Sequence, residues 1–527
     1  MRCSIHDSLV WLYPDSEIGA RPCTRVALDV ARGGIAAITV LVNDASPGVP
    51  LKVTLTPAPR EWKVYRLVDV AVEKNTGIVC FCEPEGEVNP DVVRRAPYRT
   101  YDAMEPVAAA GFKATAATQA FRIHVPVKRT AKPGEQQMVC TVTHGDATAE
   151  LKIDLTVHAA RLPPAGAASF PYTNWYSVDN MAERHGLKPW SEAHWRMIRR
   201  YADLMYQGRQ NTFWIPLSQI FTLDENGVPV LNRVRLRRWV RTFTDAGLHY
   251  IEGGHFGGRT DGVWTAPTFS IGLTKSLATS PEGNADIAVI AGQLMDEIDR
   301  NDWWDRWIQH VADEPIAANA VDYRIFVGMV RKYMPGVPIL DATMQESLVG
   351  SVDMWCPQVQ SYQQNCERFE HMQELGDAVW TYTCCCPGGP WLNRLLDMEL
   401  LRPVLIGWAS ALFRLDGFLH WGFNQYQKQQ DPFEMNVIPN WGGGSNSLPP
   451  GDTHIVYPGT SGPWSSVRFE AHREGLEDYE LLRQLQERDP KKAQSLMQPV
   501  IRAFDDYTKD ATVLRKARRK LLLALGS

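Results

Sequence analysis

The feature that most narrows the fold is a change of periodicity at residues 161–168, Arg-Leu-Pro-Pro-Ala-Gly-Ala-Ala. Before this break, residues 26–30, 35–42, 51–56, 121–125, 138–142 and 151–157 run apolar or alternate apolar with polar. Gly, Pro, Asn and Asp separate them, and this pattern predicts a β-sandwich over 1–160. After the break, short apolar runs at 170–175, 212–215, 249–252, 307–312, 337–340, 354–357, 379–383 and 417–421 alternate with amphipathic stretches such as 192–206 and 321–333. Eight such repeats within about 250 residues predict a (β/α)8 TIM-type barrel over 161–465. An open doubly wound sheet is the structural alternative, but it calls for a Gly-rich phosphate loop after an early strand, and none occurs. Residues 425–465, rich in Gly, Pro, Asn and Trp, are expected to form a long substrate loop. From 466 to 527 the pattern is helical, predicting a C-terminal extension packed on the barrel and ending in a solvated basic face.

The partners are bounded by charge and hydropathy. A net charge of −5 and a pI near 6.2 favour neither nucleic acid nor an anionic membrane. No apolar run reaches the ~18 residues of a membrane span. The first residues, Met1-Arg2-Cys3-Ser4-Ile5-His6-Asp7, lack the apolar core of a secretion signal, so the expected location is cytoplasmic. Ten cysteines without a CxxC pair read as free thiols, with no metal site and no cofactor. Eighteen tryptophans favour sugar-stacking platforms, although large cores also use tryptophan.

Polar residues collect at the predicted C-terminal strand ends, where barrel enzymes carry their chemistry. Asn174 and Trp175 follow the first run, His255 the third, His310, Asp313 and Glu314 the fourth and Asp341 the fifth. Trp355 lies within the sixth, Tyr382 in the seventh, and Trp421 and Asn424 close the eighth, while Asp452 sits in the long loop. Three readings of Asp313-Glu314-Pro315 compete. Proline and acids suit the start of a helix. His310 and the carboxylates could bind a metal, but no HExxH-like spacing supports it. Glycoside hydrolysis is the third. Ordinary glycosidases set their two carboxyls on opposite sides of the bond, ~5–9.5 Å apart. Adjacent acids suit substrate assistance better, in which the sugar's own 2-acetamido oxygen attacks the anomeric carbon.

The segments His310-Val-Ala-Asp313-Glu314-Pro315, Trp380-Thr-Tyr382-Thr-Cys384-Cys385-Cys386-Pro387, Gly451-Asp452…Tyr457-Pro458-Gly459 and Arg473-Glu474-Gly475-Leu476-Glu477-Asp478-Tyr479-Glu480 together resemble glycoside hydrolase family 123. The triple cysteine departs from that pattern. The resemblance implies an exo-acting, retaining β-N-acetylgalactosaminidase acting on an oligosaccharide or glycoconjugate. It places the acid/base role on Glu314 and acetamido orientation on Asp313. Glu314 would need a raised pKa, supplied by ionised Asp313 and by desolvation from Trp175, Trp355 or Trp421. His310 is either an orienter of the acids or a satisfied buried histidine. Tyr382 is a candidate donor to the acetamido carbonyl or a core tyrosine. Trp355 and Trp421 could floor the sugar. Asn174, His255, Asn424 and Asp452 could bind its hydroxyls or be structural. Two other functions stay open: a two-carboxylate glycosidase of the same barrel type, with Asp341 or a rim acid as partner, and a non-catalytic carbohydrate-binding protein.

Overall fold

The computed structural model describes residues 1–440 and 444–526, so positions 441–443 of the expected substrate loop lie outside the described residues. The N-terminal region has two sheets. One contains Arg2–Asp7, Ile35–Asn43, Gln119–Pro126, Lys63–Val72 and Tyr98–Val107, and the other Arg25–Arg32, Ala147–Arg161, Gly134–His144, Pro50–Thr56 and Phe112–Lys113. The alternation seen in the sequence is the alternation of faces: in Pro50–Thr56 every second residue is buried. Those residues, Leu51, Val53 and Leu55, share one apolar core with Val40 and Ile123 of the other sheet. The strand Tyr98–Val107 escapes the alternation rule because the polar residues Thr100 and Asp102 are buried within it. Asp102 is fully buried and accepts from Tyr457 Oη at 2.7 Å and Arg468 Nε at 2.9 Å.

The first sheet does not end inside the N-terminal region. Pro463–Ser466 pairs with Tyr98–Val107, and Tyr457–Pro458 pairs with Pro463–Ser466 in turn. Strand pairing therefore crosses the boundary expected at 465.

Eight parallel strands follow in the expected order, Tyr172–Asn174, Thr212–Ile215, Tyr250–Gly253, Trp307–Gln309, Leu340–Ala342, Met354–Cys356, Ala378–Thr383 and Gly417–His420. They form two arcs rather than one continuous ladder. The second, third and fourth strands make a three-stranded sheet, and the first with the fifth to eighth a five-stranded one. A single bridge, Gln309–Ile339, joins the fourth strand to the fifth. At the other junction the Asn211 N–H donates to Tyr172 O at 3.3 Å, and Asn211 Oδ1 accepts the Tyr172 N–H at 3.0 Å. Strands this short leave few residues with which to extend a ladder.

Two further expectations are corrected here. The helix after the fourth strand starts at Ala320 with Asn319 as N-cap, so Asp313-Glu314-Pro315 neither begins nor caps it. Against the expectation of free thiols throughout, Cys80 and Cys386 form a disulfide, with Cα atoms 4.5 Å apart. The fold brings together two positions 306 residues apart, a pairing no local spacing could reveal.

The helix Val467–Arg488 is buried along most of its length and packs on Leu401–Leu412 and Ala511–Gly526. Its charges are paired: Arg473 bonds Glu470 at 2.8 Å and also Glu477, and Arg518 bonds Asp478 at 2.7 Å. The expected solvated basic face is thus corrected in part, since Arg518 is buried and Arg515 reaches Asp7 at 2.8 Å. At the crossing with Leu401–Leu412, a Cβ on Gly475 would run into the Val404 carbonyl and one on Gly407 into Gly475 itself. Both obstacles are backbone, which cannot swing aside. Gly475→Ala is expected to destabilise the protein by about 1–3 kcal/mol, read as a lowered denaturation midpoint.

Candidate active site

The fourth strand ends at Gln309, and the chain then turns so that Asp313 and Glu314 both line a 260 Å³ cavity with Trp175, Tyr382, Trp421 and Asp452. On a regular strand, neighbouring side chains point to opposite faces. Glu314 escapes that rule with φ of 46°, a left-handed backbone that costs a non-glycine residue about 1–3 kcal/mol. Arg259 Nη2 donates to the Glu314 main-chain carbonyl at 2.5 Å, and its guanidinium lies 3.9 Å over Trp264. Tyr382 Oη donates to Glu314 Oε1.

Burial sets the protonation of the pair. Desolvation, reinforced by the negative charges of Glu314 and Asp341, pushes the Asp313 carboxyl up to about 7 against the pull of Arg259 and His310. Desolvation also raises Glu314, opposed by the Tyr382 hydrogen bond and Arg259. The pair therefore retains a proton toward neutral pH.

Behind it lies a fully buried ion cluster. His310 Nε2 is 2.8 Å from Glu252 Oε1, and Nδ1 is 3.0 Å from Asp341 Oδ1. Burial alone would lower the His310 pKa, but hydrogen bonds to Asp341 and Glu252, with their charges, raise it to about 9. The ring is an imidazolium donating from both nitrogens. Asp341 also accepts from the Val311 N–H at 3.0 Å and Tyr323 Oη at 2.5 Å. Glu252 accepts from Thr173 Oγ1 at 2.6 Å and Trp175 Nε1 at 2.8 Å. Trp175, so anchored, stacks on Trp214 with centroids 4.5 Å apart. The ligand atoms of His255, His310 and Asp341 lie close enough together for a metal, but both His310 nitrogens are committed to carboxylates.

Elsewhere in the lining, Asp452 Oδ1 accepts from Trp421 Nε1 at 3.1 Å, while Oδ2 has no hydrogen-bond partner among the described residues. Burial raises this carboxyl to about 7, against the Trp421 hydrogen bond and the charges of Arg394 and Arg468. An unsatisfied buried oxygen on a cavity wall is a ready acceptor for a ligand hydroxyl.

Of the expected site residues, the cavity gathers Asp313, Glu314, Trp175, Tyr382, Trp421 and Asp452. His310 stands behind it. The other four are not among its lining residues. Asn174 is buried among Tyr172, Gln210 and Arg394, with bonds of 2.6, 3.0 and 2.6 Å. Trp355 faces the surrounding helices, edge-on to Phe369 and bonded to Asp377 at 2.9 Å. Asn424 spends both side-chain polar atoms on the Ser177 backbone. His255 packs edge-on against Trp175 and Trp214, its pKa pushed well below the usual value by burial and then by His310. Glu252 and Arg259 are the residues that sequence reasoning missed. The signal for Glu252 was a lone acid in an otherwise apolar strand run.

Paired acids at the end of a parallel strand, in a cavity walled by tryptophans, are a site of glycoside-hydrolase type. The profile of the glycoside hydrolase 123 catalytic domain matches residues 175–485, and the chain belongs to that family. Among solved structures, a family 123 glycoside hydrolase from Clostridium perfringens, described for glycolipid glycan hydrolysis, superposes with a TM-score of 0.72 at 13% identity, covering 100% of this chain and 97% of that one. A β-D-glucuronidase from Dictyoglomus thermophilum has a TM-score of 0.34 at 10% identity over 84% of this chain and 66% of its own. No curated protein sequence matches the chain.

Replacing His310 by Gln would leave Glu252 and Asp341 buried as uncompensated like charges, at a cost of about 3–5 kcal/mol. The pH dependence has a definite sign. Because the folded pKa of about 9 exceeds the ordinary 6.5, the stabilisation is full below pH 6.5 and is lost as pH rises through about 9. Denaturant melts of wild type and His310→Gln should therefore differ most at pH 6 and converge by about 3 kcal/mol towards pH 10.

Proposed function

We propose that the protein is a retaining, exo-acting β-N-acetylhexosaminidase that releases terminal β-linked N-acetylgalactosamine or a related 2-acetamido sugar by substrate assistance. On this reading its two parallel arcs work together as a (β/α)8-type barrel presenting one rim. The observation that carries the proposal is the adjacency of Asp313 and Glu314 in one cavity, made possible by the left-handed turn at Glu314.

Protonated Glu314 gives its proton to the glycosidic oxygen as the acetamido carbonyl oxygen attacks the anomeric carbon from the other face. The carbon–oxygen bond to the leaving group breaks, and its electron pair stays with the departing hydroxyl. Asp313 orients the acetamido N–H and stabilises the positive charge of the oxazolinium ring. Glu314, now a carboxylate, takes a proton from water as that water attacks the same carbon and reopens the ring. Two inversions give net retention. Tyr382 holds the Glu314 carboxyl in place through its hydroxyl. Trp175 and Trp421 wall the ring, and Asp452 Oδ2 accepts a sugar hydroxyl.

Glu314→Gln is expected to lower kcat/KM on an unactivated disaccharide roughly 100- to 10,000-fold, with a smaller loss on aryl glycosides whose leaving groups need no proton. Asp313→Asn should impair both. Wild-type turnover of the disaccharide by Glu314→Gln would exclude the acid role. Because the acid must carry its proton and burial raises the Glu314 carboxyl, kcat/KM should fall on the alkaline side at a pH above the usual carboxylate range.

One observation favours a second reading. Asp452 is another buried carboxyl with a raised pKa in the same cavity, so it, rather than the fully bonded Asp341, is the partner for a conventional two-carboxylate mechanism. A thiazoline mimic of the bicyclic intermediate separates the two. Substrate assistance expects tight inhibition, retained in Asp452→Asn with a loss of about tenfold or more in kcat/KM. The conventional mechanism expects no thiazoline inhibition, good turnover of sugars lacking the acetamido group, and an inactive Asp452→Asn.

A further inference from the structure

The cysteine triplet takes no part in the proposed reaction, yet it sits on the cavity wall, where Cys384 and Cys385 are lining residues. Cys385 Sγ lies 3.7 Å from Cys80 Sγ and 3.9 Å from Cys386 Sγ, and Cys384 Sγ is 3.9 Å from Cys385 Sγ. Thiolates around a tetrahedral zinc, at a Zn–S distance of about 2.3 Å, stand ~3.8 Å apart along each edge of the tetrahedron. Cys385 therefore already stands one such edge from each of its two partners.

The backbone keeps these sulfurs together independently of the disulfide. The Phe81 N–H donates to Cys385 O at 3.1 Å, and the Gly388 N–H donates to Val79 O at 2.9 Å, stitching the 79–81 segment to the 385–388 segment. Within the second segment the Cys384 N–H donates to Cys386 O at 2.8 Å, and Asn393 Nδ2 holds Cys384 O at 2.8 Å and Pro387 O at 3.0 Å. At Gly388 a Cβ would strike the Gly77 carbonyl, so the two segments touch through their main chains. None of these contacts runs through the S–S bond.

We infer that Cys80, Cys385 and Cys386, once the Cys80–Cys386 disulfide is reduced, form a thiolate site for a thiophilic cation of the Zn²⁺ class on the wall of the active-site cavity. A dithiol reductant breaks the S–S bond and is itself oxidised to a disulfide, its two protons passing to Cys80 and Cys386. The cation then displaces the three thiol protons and accepts three Sγ lone pairs. Disulfide and metal are alternative ties between the same two segments, one for oxidising and one for reducing conditions.

The test uses the full-length protein, reduced with a dithiol, desalted anaerobically and titrated with Zn²⁺ against a chromophoric chelator. The reduced protein is expected to take up about one equivalent and the oxidised protein none. Co²⁺ in place of Zn²⁺ should give thiolate-to-metal charge-transfer absorption. Cys385→Ser, which leaves the disulfide pair untouched, should abolish that absorption and weaken Zn²⁺ binding more than about tenfold. Cys23→Ser, at an exposed thiol elsewhere, should change neither. The inference is overturned if the reduced protein binds no more Zn²⁺ than the oxidised, if Cys385→Ser binds as wild type does, or if Cys23→Ser is the variant that loses binding.

Discussion

The buried His310 imidazolium, held between Glu252 and Asp341, is the interaction on which the catalytic half depends. Its three members come from the third, fourth and fifth strand positions, so it spans the junction where, among the described residues, the Gln309–Ile339 bridge joins the two arcs. Charges taken out of water are tolerable only when fully paired, and here each carboxylate gains further donors as well. Glu252 passes the constraint on to Trp175, and Asp341 passes it to the main chain of Val311, just before the acids. One ion cluster thus fixes a wall of the cavity and the turn that carries the acid pair.

That turn shows how stability is conceded at the candidate site. Glu314 sits in backbone geometry that suits glycine, and its neighbour is a carboxyl forced toward neutrality. Neither choice helps folding. Surrounding groups hold the arrangement in place: Arg259 on the Glu314 carbonyl, Tyr382 on its side chain, and the ion cluster behind. Local rules are broken at the acid pair, where the proposed chemistry needs them broken.

The order of the eight strands was readable because each is a short apolar run between helical repeats, and Asp313 and Glu314 stood out as acids ending one of them. What could not be read was the direction of individual side chains. Trp355 lies in a strand, as expected, but on its outer face. Asn174 and Asn424 sit at the rim and turn into backbone and side-chain networks. Glu252 was hidden because its partners, His310 and Trp175, come from distant parts of the sequence. Asp102 concealed a strand for the same reason, its cation Arg468 lying 366 residues away. Conversely, the segment 473–480 carries its buried ion pairs and its close helix crossing in full view, but only the fold explains why they are needed.

The strand Pro463–Ser466 has a consequence for how the chain is made. It lies on the open side of Tyr98–Val107, so the N-terminal sheet waits for an element that leaves the ribosome only after all eight parallel strands have been translated. Until then the nascent N-terminal region exposes an unpaired strand edge, and the buried Asp102 lacks its Arg468 counter-charge. Vectorial synthesis therefore cannot complete this protein one module at a time. The first sheet to be started is among the last to be closed.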